Sequence, residues 1–197
     1  MNPIVNKLSP TVTRMIRMDH SHVVSQFHKL TPETSAAVRA AVVRNICTAL
    51  EIHAQLEEEL FYPALREARI QSPALDKSAS EHEHMRELIT RVRGAEEDRA
   101  RQDDTLNELM NAVLHHVADE ETQLLPAAER LLGPEKLAEM GARMTARRIE
   151  LARPHAAELA GDMVKGAPAK TALMAVGALL AGSRVVGAIR RGRQVHH

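Results

Sequence analysis

The chain has 197 residues, enough for one domain with a sizeable core, and its aromatic content of only 2% favours an aliphatic core of closely packed helices. Its 26 lysines and arginines balance its 26 aspartates and glutamates, which excludes an electrostatic attraction to nucleic acid and implies no acidic substrate. The single cysteine, Cys47, excludes an intramolecular disulfide and a multi-thiolate metal site, and its apolar neighbours predict a buried, unreactive thiol.

The first half of the chain predicts two helices joined by a short turn. A serine–proline pair at residues 9–10 starts the first helix, whose apolar residues recur at helical spacing up to about Leu30. A second start signal follows at residues 31–33, and the apolar pattern then continues to about Arg69. Pro63 is predicted to interrupt this second helix, because proline lacks the amide hydrogen that a helix needs.

The second half predicts two further bundle helices. Pro73 and Asp76 open the third, which ends before the charged residues 95–101, a stretch predicted to be a solvated helix end or turn. The fourth passes through Leu106 and ends at the glycine–proline pair 133–134. Four helices with short connections predict an all-α, up-down-up-down four-helix bundle.

The remaining chain divides into a fifth helix and a tail. Residues 134–151 predict a shorter helix in which Met140 and Met144 are packing residues. Glycine and proline then mark a linker before an apolar segment rich in alanine and glycine. We therefore predict two units, a bundle with its short fifth helix in residues 1–153 and a C-terminal tail helix in residues 154–197.

The tail is open to several interpretations. Its apolar residues 171–189 are interrupted by Arg184 and fall short of an uninterrupted membrane-spanning helix of about 20 residues. The alternatives are docking on the bundle, an interface in a homo-oligomer, peripheral membrane contact through residues 171–193, and disorder. The basic residues 190–193 would meet anionic lipid in the membrane alternative. The N-terminus lacks the apolar stretch of a secretory signal, so a cytoplasmic protein is predicted.

One pattern, histidine, three residues, two glutamates, four residues and proline, occurs twice at an interval of 63 residues (116 − 53 = 63). The first copy consists of His53, Glu57, Glu58 and Pro63, and the second of His116, Glu120, Glu121 and Pro126. The segments Asp19-His20-Ser21-His22 and Glu81-His82-Glu83-His84 repeat at nearly the same interval (82 − 20 = 62). The chain therefore predicts two similar helical hairpins that supply the same donors to a shared centre.

Six side chains are predicted to meet in one layer of the bundle. Residues four apart share a helix face, so each repeated histidine points inward together with its glutamate. Burying so many polar groups is costly unless each is paired, and a pair of metal ions would satisfy all of them. The predicted metal ligands are His20, His53, Glu57, His82, His116 and Glu120.

The donor set indicates the kind of metal. Imidazole and carboxylate without thiolate suit iron, manganese or zinc. One metal would take His20 and His53, the other would take His82 and His116, and the two glutamates would bridge them. Glu58 and Glu121 are predicted either to face solvent or to support the ligands from outside the layer. One of them is the alternative bridge, because the spacing alone does not decide which glutamate of each pair turns inward. The remaining neighbours, His22, His84 and Tyr62, are interpreted as two outward-facing imidazoles and a packing residue near the proline.

Four sequence runs around these residues resemble a known family. The runs DHSHVVSQF, HAQLEEELFYPAL, EHEHMRELI and HHVADEETQLLPA are similar, in this order, to the four helices of the hemerythrin-like, or HHE cation-binding, domain. The resemblance covers residues from about 10 to 150 and implies a four-helix bundle with a non-haem di-iron site on the six residues named above. It also implies two irons, oxo- or hydroxo-bridged, and a small ligand such as dioxygen.

The sequence departs from the oxygen-carrying hemerythrins at Arg86. Those proteins have a second histidine there, four residues after the first histidine of the third helix. Two hypotheses follow from the missing imidazole. Both irons keep an exchangeable position, which favours peroxide, nitric oxide or redox chemistry over reversible oxygen storage. Alternatively, Arg86 brings a positive charge to the site and favours anionic ligands.

The sequence thus supports three functional hypotheses. The first is a non-haem di-iron protein that binds dioxygen, nitric oxide or peroxide for sensing, storage or detoxification. The second is a di-iron enzyme with peroxidase, catalase-like or oxidase activity, and the third is an interaction module that metal only stabilises. A ferritin-like ferroxidase fits less well, because that bundle carries Glu-x-x-His where this chain has His-x-x-x-Glu.

Overall fold

The structure is a computed structural model that describes residues 9–157 and residue 161. Its α-helices are α1 (Val12–Phe27), α2 (Ala36–Leu56), α3 (Tyr62–Glu67), α4 (Pro73–Arg93), α5 (Arg99–Asp119), α6 (Leu125–Leu131) and α7 (Gly133–Ala152). Two π-helical segments, π1 (Glu57–Phe61) and π2 (Glu120–Leu124), join α2 to α3 and α5 to α6, and a 3-10 turn, Arg153–His155, follows α7. The described residues contain no strand.

The elements form four long bundle helices with a fifth packed outside. The first is α1, the second is the run α2–π1–α3, the third is α4, and the fourth is the run α5–π2–α6. Helix α7 packs against α1 and α2, and short loops connect consecutive helices. The predicted all-α four-helix bundle is therefore confirmed.

Both prolines of the repeat follow a π-helical segment instead of breaking their helix. Segment π1 begins at Glu57, whose carbonyl accepts the amide of Tyr62 five residues ahead, and π2 begins in the same way at Glu120. A π turn widens the backbone just before the proline ring, where an α-helix would have to accommodate a missing donor and a steric clash. The predicted interruption at Pro63 is thus a five-residue π segment that starts at the repeated glutamate.

The first two helices begin later than the sequence predicts. Helix α1 is capped by Thr11, whose hydroxyl accepts the amide of Arg14 at 3.4 Å, and not by the serine at residue 9. The second start signal forms a separate turn, in which the Thr34 hydroxyl donates to the carbonyl of Lys29 at 2.8 Å. Ser35 then precedes α2. Local hydrogen bonds of serine and threonine compete with helix extension at these positions.

The later helices follow the predicted pattern closely. Ser72 caps α4 by accepting the amide of Ala74 at 3.3 Å, and Asp98 caps α5 by accepting that of Arg101 at 3.1 Å. The charged stretch predicted as a helix end or turn contains both a turn and the start of α5. In α7, Met140 and Met144 are buried, which confirms them as packing residues.

Two apolar clusters divide the bundle interior. The first contains Ile16, Leu56, Phe61, Leu65, Leu75, Leu124, Leu125 and Met140, and the second contains Val23, Ile46, Leu50, Met85, Ile89, Leu109 and Val113. Along each bundle helix, the residues between the two clusters include one of the predicted ligand histidines. The bundle is thus a polar layer between two aliphatic layers, and burial of those layers supplies the main stabilisation.

Cys47 lies fully buried in the second cluster, and burial raises the pKa of its thiol to about 11, as expected of an unreactive thiol. None of the helices in the described part of the chain has the length and apolar character of a membrane span. The predicted tail helix and its membrane segment lie outside the described residues, and the boundary at residue 153 stays a prediction.

Candidate metal centre

All six predicted ligands lie in the polar layer and are buried, with at most 5% of any residue exposed. They form two groups whose candidate ligand atoms lie within 4.8 Å of one another. The first group consists of His20, His53, Glu57 and Glu120, and the second of Glu57, His82 and His116. The carboxylate of Glu57 thus belongs to both groups, as a bridging ligand between two neighbouring ions would.

The inward nitrogens and oxygens lie close together in each group. In the first, the Nε2 atom of His20 is 3.3 Å from Glu120 Oε2, and that of His53 is 3.2 Å from Glu57 Oε2. In the second, His82 Nε2 is 3.4 Å from the same Glu57 oxygen and 3.2 Å from His116 Nε2. The Nε2 atoms of four imidazoles, one from each bundle helix, therefore point into one small volume.

Several of these buried atoms make no hydrogen bond. They are His20 Nε2, His53 Nε2, Glu57 Oε1 and Glu120 Oε2. An unpaired buried polar atom costs about 1–3 kcal/mol, so four in one layer call for a common partner. Because every one is a nitrogen or oxygen suited to metal coordination, the residues fit a bound cation.

The outer nitrogen of every inward histidine faces a carboxylate from the preceding bundle helix. For the first helix, this carboxylate comes from the fourth. We call these four acids, Asp19, Glu58, Glu81 and Glu121, the carboxylate ring. The Nδ1 atoms of His20, His82 and His116 donate at 2.9 Å to Glu121, Glu58 and Glu81, respectively. The Nδ1 atom of His53 lies 3.5 Å from Asp19. Such bonds fix the tautomer and the orientation of the ring, so that the lone pair of Nε2 points inward. The second glutamate of each repeated pair therefore orients an imidazole, while the first points into the layer.

Basic side chains hold three of the four ring carboxylates. Arg148 of α7 binds both oxygens of Asp19, and Arg86 binds both oxygens of Glu58 at 2.6 Å. The cation beside Glu81 is Lys77, at 3.2 Å. Arg86, which occupies the position of the missing histidine, is thus paired with a carboxylate.

The charges in the layer stabilise one another. Burial opposes protonation of His116, but the neighbouring carboxylates of Glu57 and Glu81 outweigh burial and raise its pKa to about 10. Burial also opposes charge on Glu57, yet His53, His116 and His82 hold its pKa well below the ordinary range. The hydrogen bond from His116 lowers the pKa of Glu81 to about 2. His116 and Glu57 therefore stabilise each other's charged forms within the layer.

Tyr62 was interpreted from the sequence as a packing residue. It does pack, fully buried in the first apolar cluster, but this interpretation missed its contacts in the polar layer. Its buried hydroxyl donates to Glu57 Oε2 at 3.1 Å and to Glu120 Oε1 at 2.9 Å, and lies 3.3 Å from His82 Nε2. An α-helical wheel places Tyr62 well away from Glu57, but the π segment between them brings it onto the same face. The proline after Tyr62 was the available signal for this change. By contrast, His22 and His84 are exposed, as predicted.

A third group of candidate ligands lies at the surface, where a lysine side chain already pairs with its carboxylates. Glu81, His115 and Asp119 have ligand atoms within 4.8 Å of one another. The ammonium of Lys77 pairs with Glu81 and Asp119, and the side chain of His115 is 67% exposed. The two carboxylates of this cluster therefore already share an ammonium partner.

A small cavity touches the four imidazoles on the side of the second apolar cluster. Its volume of about 10 Å³ is close to the minimum that holds one water-sized molecule. Besides the imidazoles, its lining is aliphatic at Val23, Leu50, Ala54, Met85, Ile89, Val113 and Val117 and charged at Asp19, Glu51 and Arg86. Glu57, Glu120 and Tyr62 do not line it, so the polar layer has an imidazole face towards the cavity and an oxygen face towards the first cluster.

The fold and the layer together define a cation-binding, all-α bundle protein. The family model of the hemerythrin HHE cation binding domain matches residues 11–128 and, in a second match, residues 75–173. The chain therefore belongs to the hemerythrin HHE cation-binding domain family. The second match starts in the helix that carries His82, as the first starts in the helix that carries His20, in agreement with the internal repeat. No curated protein and no solved structure gives a match to the chain.

Proposed function

We propose that the polar layer holds a pair of iron ions and that the protein binds dioxygen, nitric oxide or peroxide there. His20 and His53 would hold one ion, and His82 and His116 the other. Glu57 would bridge them, with Glu120 as the second shared carboxylate. The observation that carries this proposal is the pair of buried donor groups with Glu57 in common, four of whose inward atoms lack a hydrogen bond.

The surroundings of the layer support a redox metal with a small ligand. Imidazole and carboxylate donors suit iron, and family membership supports a cation in this place. When bound, a pair of irons supplies electrons and coordination positions for the small ligand. The cavity on the imidazole face admits only a molecule of a few atoms.

The chain's own residues prepare the site and exclude water. In His20, His82 and His116, the carboxylate ring keeps Nδ1 protonated and Nε2 directed inward, so that the orientations of these rings do not depend on the ligand. The aliphatic walls of the cavity keep bulk water from the imidazole face, which strengthens electrostatic interactions inside. These features suit binding of a small molecule in a dry pocket.

Metal analysis with an optical spectrum tests this proposal. The full chain, freed of metal and reloaded with Fe²⁺ without oxygen, should hold two irons per chain, with visible absorption that appears in air and disappears under a reductant. His53→Ala should lose one iron or both. Fewer than two irons in the parent protein, or two zinc ions retained in preference to iron, would contradict the di-iron assignment.

A second candidate function, a di-iron enzyme, is favoured by Tyr62. An oxidisable phenol lies among the proposed ligands, and reversible oxygen binding has no use for such a group. Turnover of peroxide by the iron-loaded protein, lost on His53→Ala, would establish the enzyme. Iron that raises the melting temperature but reacts with no small molecule would instead establish the interaction module.

We further expect Tyr62 to be an additional oxygen donor to the ion held by His82 and His116. In the metal-free protein, burial and the two neighbouring glutamates raise the pKa of this phenol, so it is protonated and donates to both carboxylates. A cation bound in the layer would instead favour the deprotonated phenolate as a ligand. Tyr62→Phe should keep two irons but lose the phenolate-to-iron absorption in the visible spectrum.

Tyr62 is the only tyrosine in the chain, so a tyrosinate signal in resonance Raman spectra has one source. A parent protein without tyrosinate vibrations, and a Tyr62→Phe variant with an unchanged spectrum, would show that the phenol stays a hydrogen-bond donor.

A further inference from the structure

One of the four histidines has a weaker carboxylate partner than the others. The Nδ1 atom of His53 lies 3.5 Å from Asp19 Oδ2, at the limit of a hydrogen bond, while the three other outer nitrogens have a carboxylate oxygen at 2.9 Å. The difference falls in the first donor group, where the inward nitrogens also lack hydrogen bonds. The two halves of the repeat are therefore unequal at this point.

The cause of the difference is Arg148, on the fifth helix. Its Nη1 donates to Asp19 Oδ1 at 2.5 Å and its Nη2 donates to Oδ2, the same oxygen that faces His53. Two parallel hydrogen bonds from a guanidinium fork are strong and directional. The Asp19 side chain is only 16% exposed, so solvent screens this pair weakly. Arg148 and His53 therefore compete for the same carboxylate oxygen.

The length of the acid adds to this effect. Asp19 is the one aspartate in the carboxylate ring, and it is a methylene shorter than Glu81, its counterpart in the repeat (81 − 19 = 62). Glu58 shows what the longer side chain permits, because it binds Arg86 through both oxygens and still accepts from His82 at 2.9 Å. The shorter Asp19 does not reach both of its partners equally well.

We propose that Arg148 is a positioning residue that makes the two metal positions unequal, by weakening the support of His53 through Asp19. A carboxylate on the outer nitrogen raises the basicity of an imidazole ligand, and changes at such a partner alter metal affinity about 10- to 100-fold. The position of His20 and His53 then binds its ion more weakly than the position of His82 and His116. Through this contact, the placement of α7 sets the affinity of the first position. The inference rests on the proposed metal pair.

Stepwise titration of the metal-free full chain with Co²⁺, followed by its visible absorption, tests this inference. The parent protein should bind two ions in steps that differ about tenfold in affinity. In Arg148→Gln the released Asp19 should approach His53, and the weaker step should tighten about tenfold, so that the two steps merge. A residue with a merely structural role would weaken binding when removed, and tightening excludes that reading.

Two further variants make the result specific. Asp19→Glu keeps the arginine but lengthens the acid, and it should merge the steps in the same way. Arg147→Gln is the matched control: this neighbour on α7 pairs with Glu59 and Glu150, so its loss should leave the two steps separate. In the metal-free protein, the Nδ1 proton of His53 should exchange with solvent faster than those of the other three imidazoles, and slow down in Arg148→Gln.

The possible failures are distinguishable. A parent protein that binds fewer than two ions contradicts the metal pair itself. Two ions bound with equal affinity, or a weaker step that is unchanged or weakened in both Arg148→Gln and Asp19→Glu, contradict the role of Arg148 while leaving the metal pair intact.

Discussion

Replacing Glu57 by glutamine is expected to abolish retention of both metal ions. Glu57 is the residue common to the two donor groups, and it is completely buried, so no water molecule can readily substitute for its carboxylate. Glutamine has nearly the same shape but places an amide where a charged oxygen would contact the cations. Since loss of a supporting residue alone costs about 10- to 100-fold in affinity, loss of a shared ligand should cost at least about 100-fold at each position.

The measurement is the metal content of the variant after gel filtration, beside the parent protein. The control is Glu59→Gln, two residues further along π1, where the carboxylate is partly exposed and pairs with Arg147. This control should retain two ions. If Glu57→Gln also keeps both, the bridge is supplied by Glu120 or Glu58, and the central assignment of the site is wrong.

Replacing Gly141 by alanine is expected to destabilise the protein strongly. A β-carbon at this position of α7 would lie 2.0 Å from the carbonyl oxygen of Pro10 and 3.0 Å from backbone atoms of Thr11 and Val12. These are main-chain atoms at the start of α1 and cannot turn aside as a side chain can. Overpacking of this kind costs about 1–3 kcal/mol or more, so we expect a melting temperature lower by about 4–10 °C.

Gly94→Ala is the matched control in the same chain. Gly94 ends α4 with a φ of −72°, and its nearest added contacts, the carbonyl oxygens of Thr90 and Arg91, are at 3.5 and 3.7 Å. Alanine fits there and should be neutral or stabilising by up to about 1 kcal/mol. Calorimetry of both variants and the parent protein measures the melting temperatures to be compared. Equal melting temperatures for Gly141→Ala and the parent would show that α7 does not rest on the start of α1.

The repeat made the layer predictable from sequence, because matched spacing in two halves restricts which histidines and glutamates share a face. The six residues are brought together as predicted, although their role as ligands is still a proposal. Burial also followed from periodicity, as Met140 and Met144 show. The helix starts at Thr11 and Ser35 were missed, since several hydroxyl residues compete as caps within a few positions.

The errors inside the site have two physical origins. A helical wheel assumes a rotation of 100° per residue, which does not hold across a π turn. Tyr62 was therefore assigned to the wrong face. The pairing of each ring carboxylate with a particular histidine was missed for another reason. Asp19 and Glu58 each act on a histidine of the next helix, and the order and rotation of neighbouring helices are needed before such a pair is visible. Single-helix spacing contains no information of that kind.

The closed carboxylate ring has a consequence for how the protein takes up its ion. Every bundle helix both donates to one neighbour and accepts from another, so turning any one helix about its axis would disturb two of these bonds at once. The imidazoles are consequently preorganised, and the conformational entropy of assembling them is lost during folding and not during loading. Uptake should then be governed by dehydration of the incoming ion and release of protons, with little rearrangement of the chain.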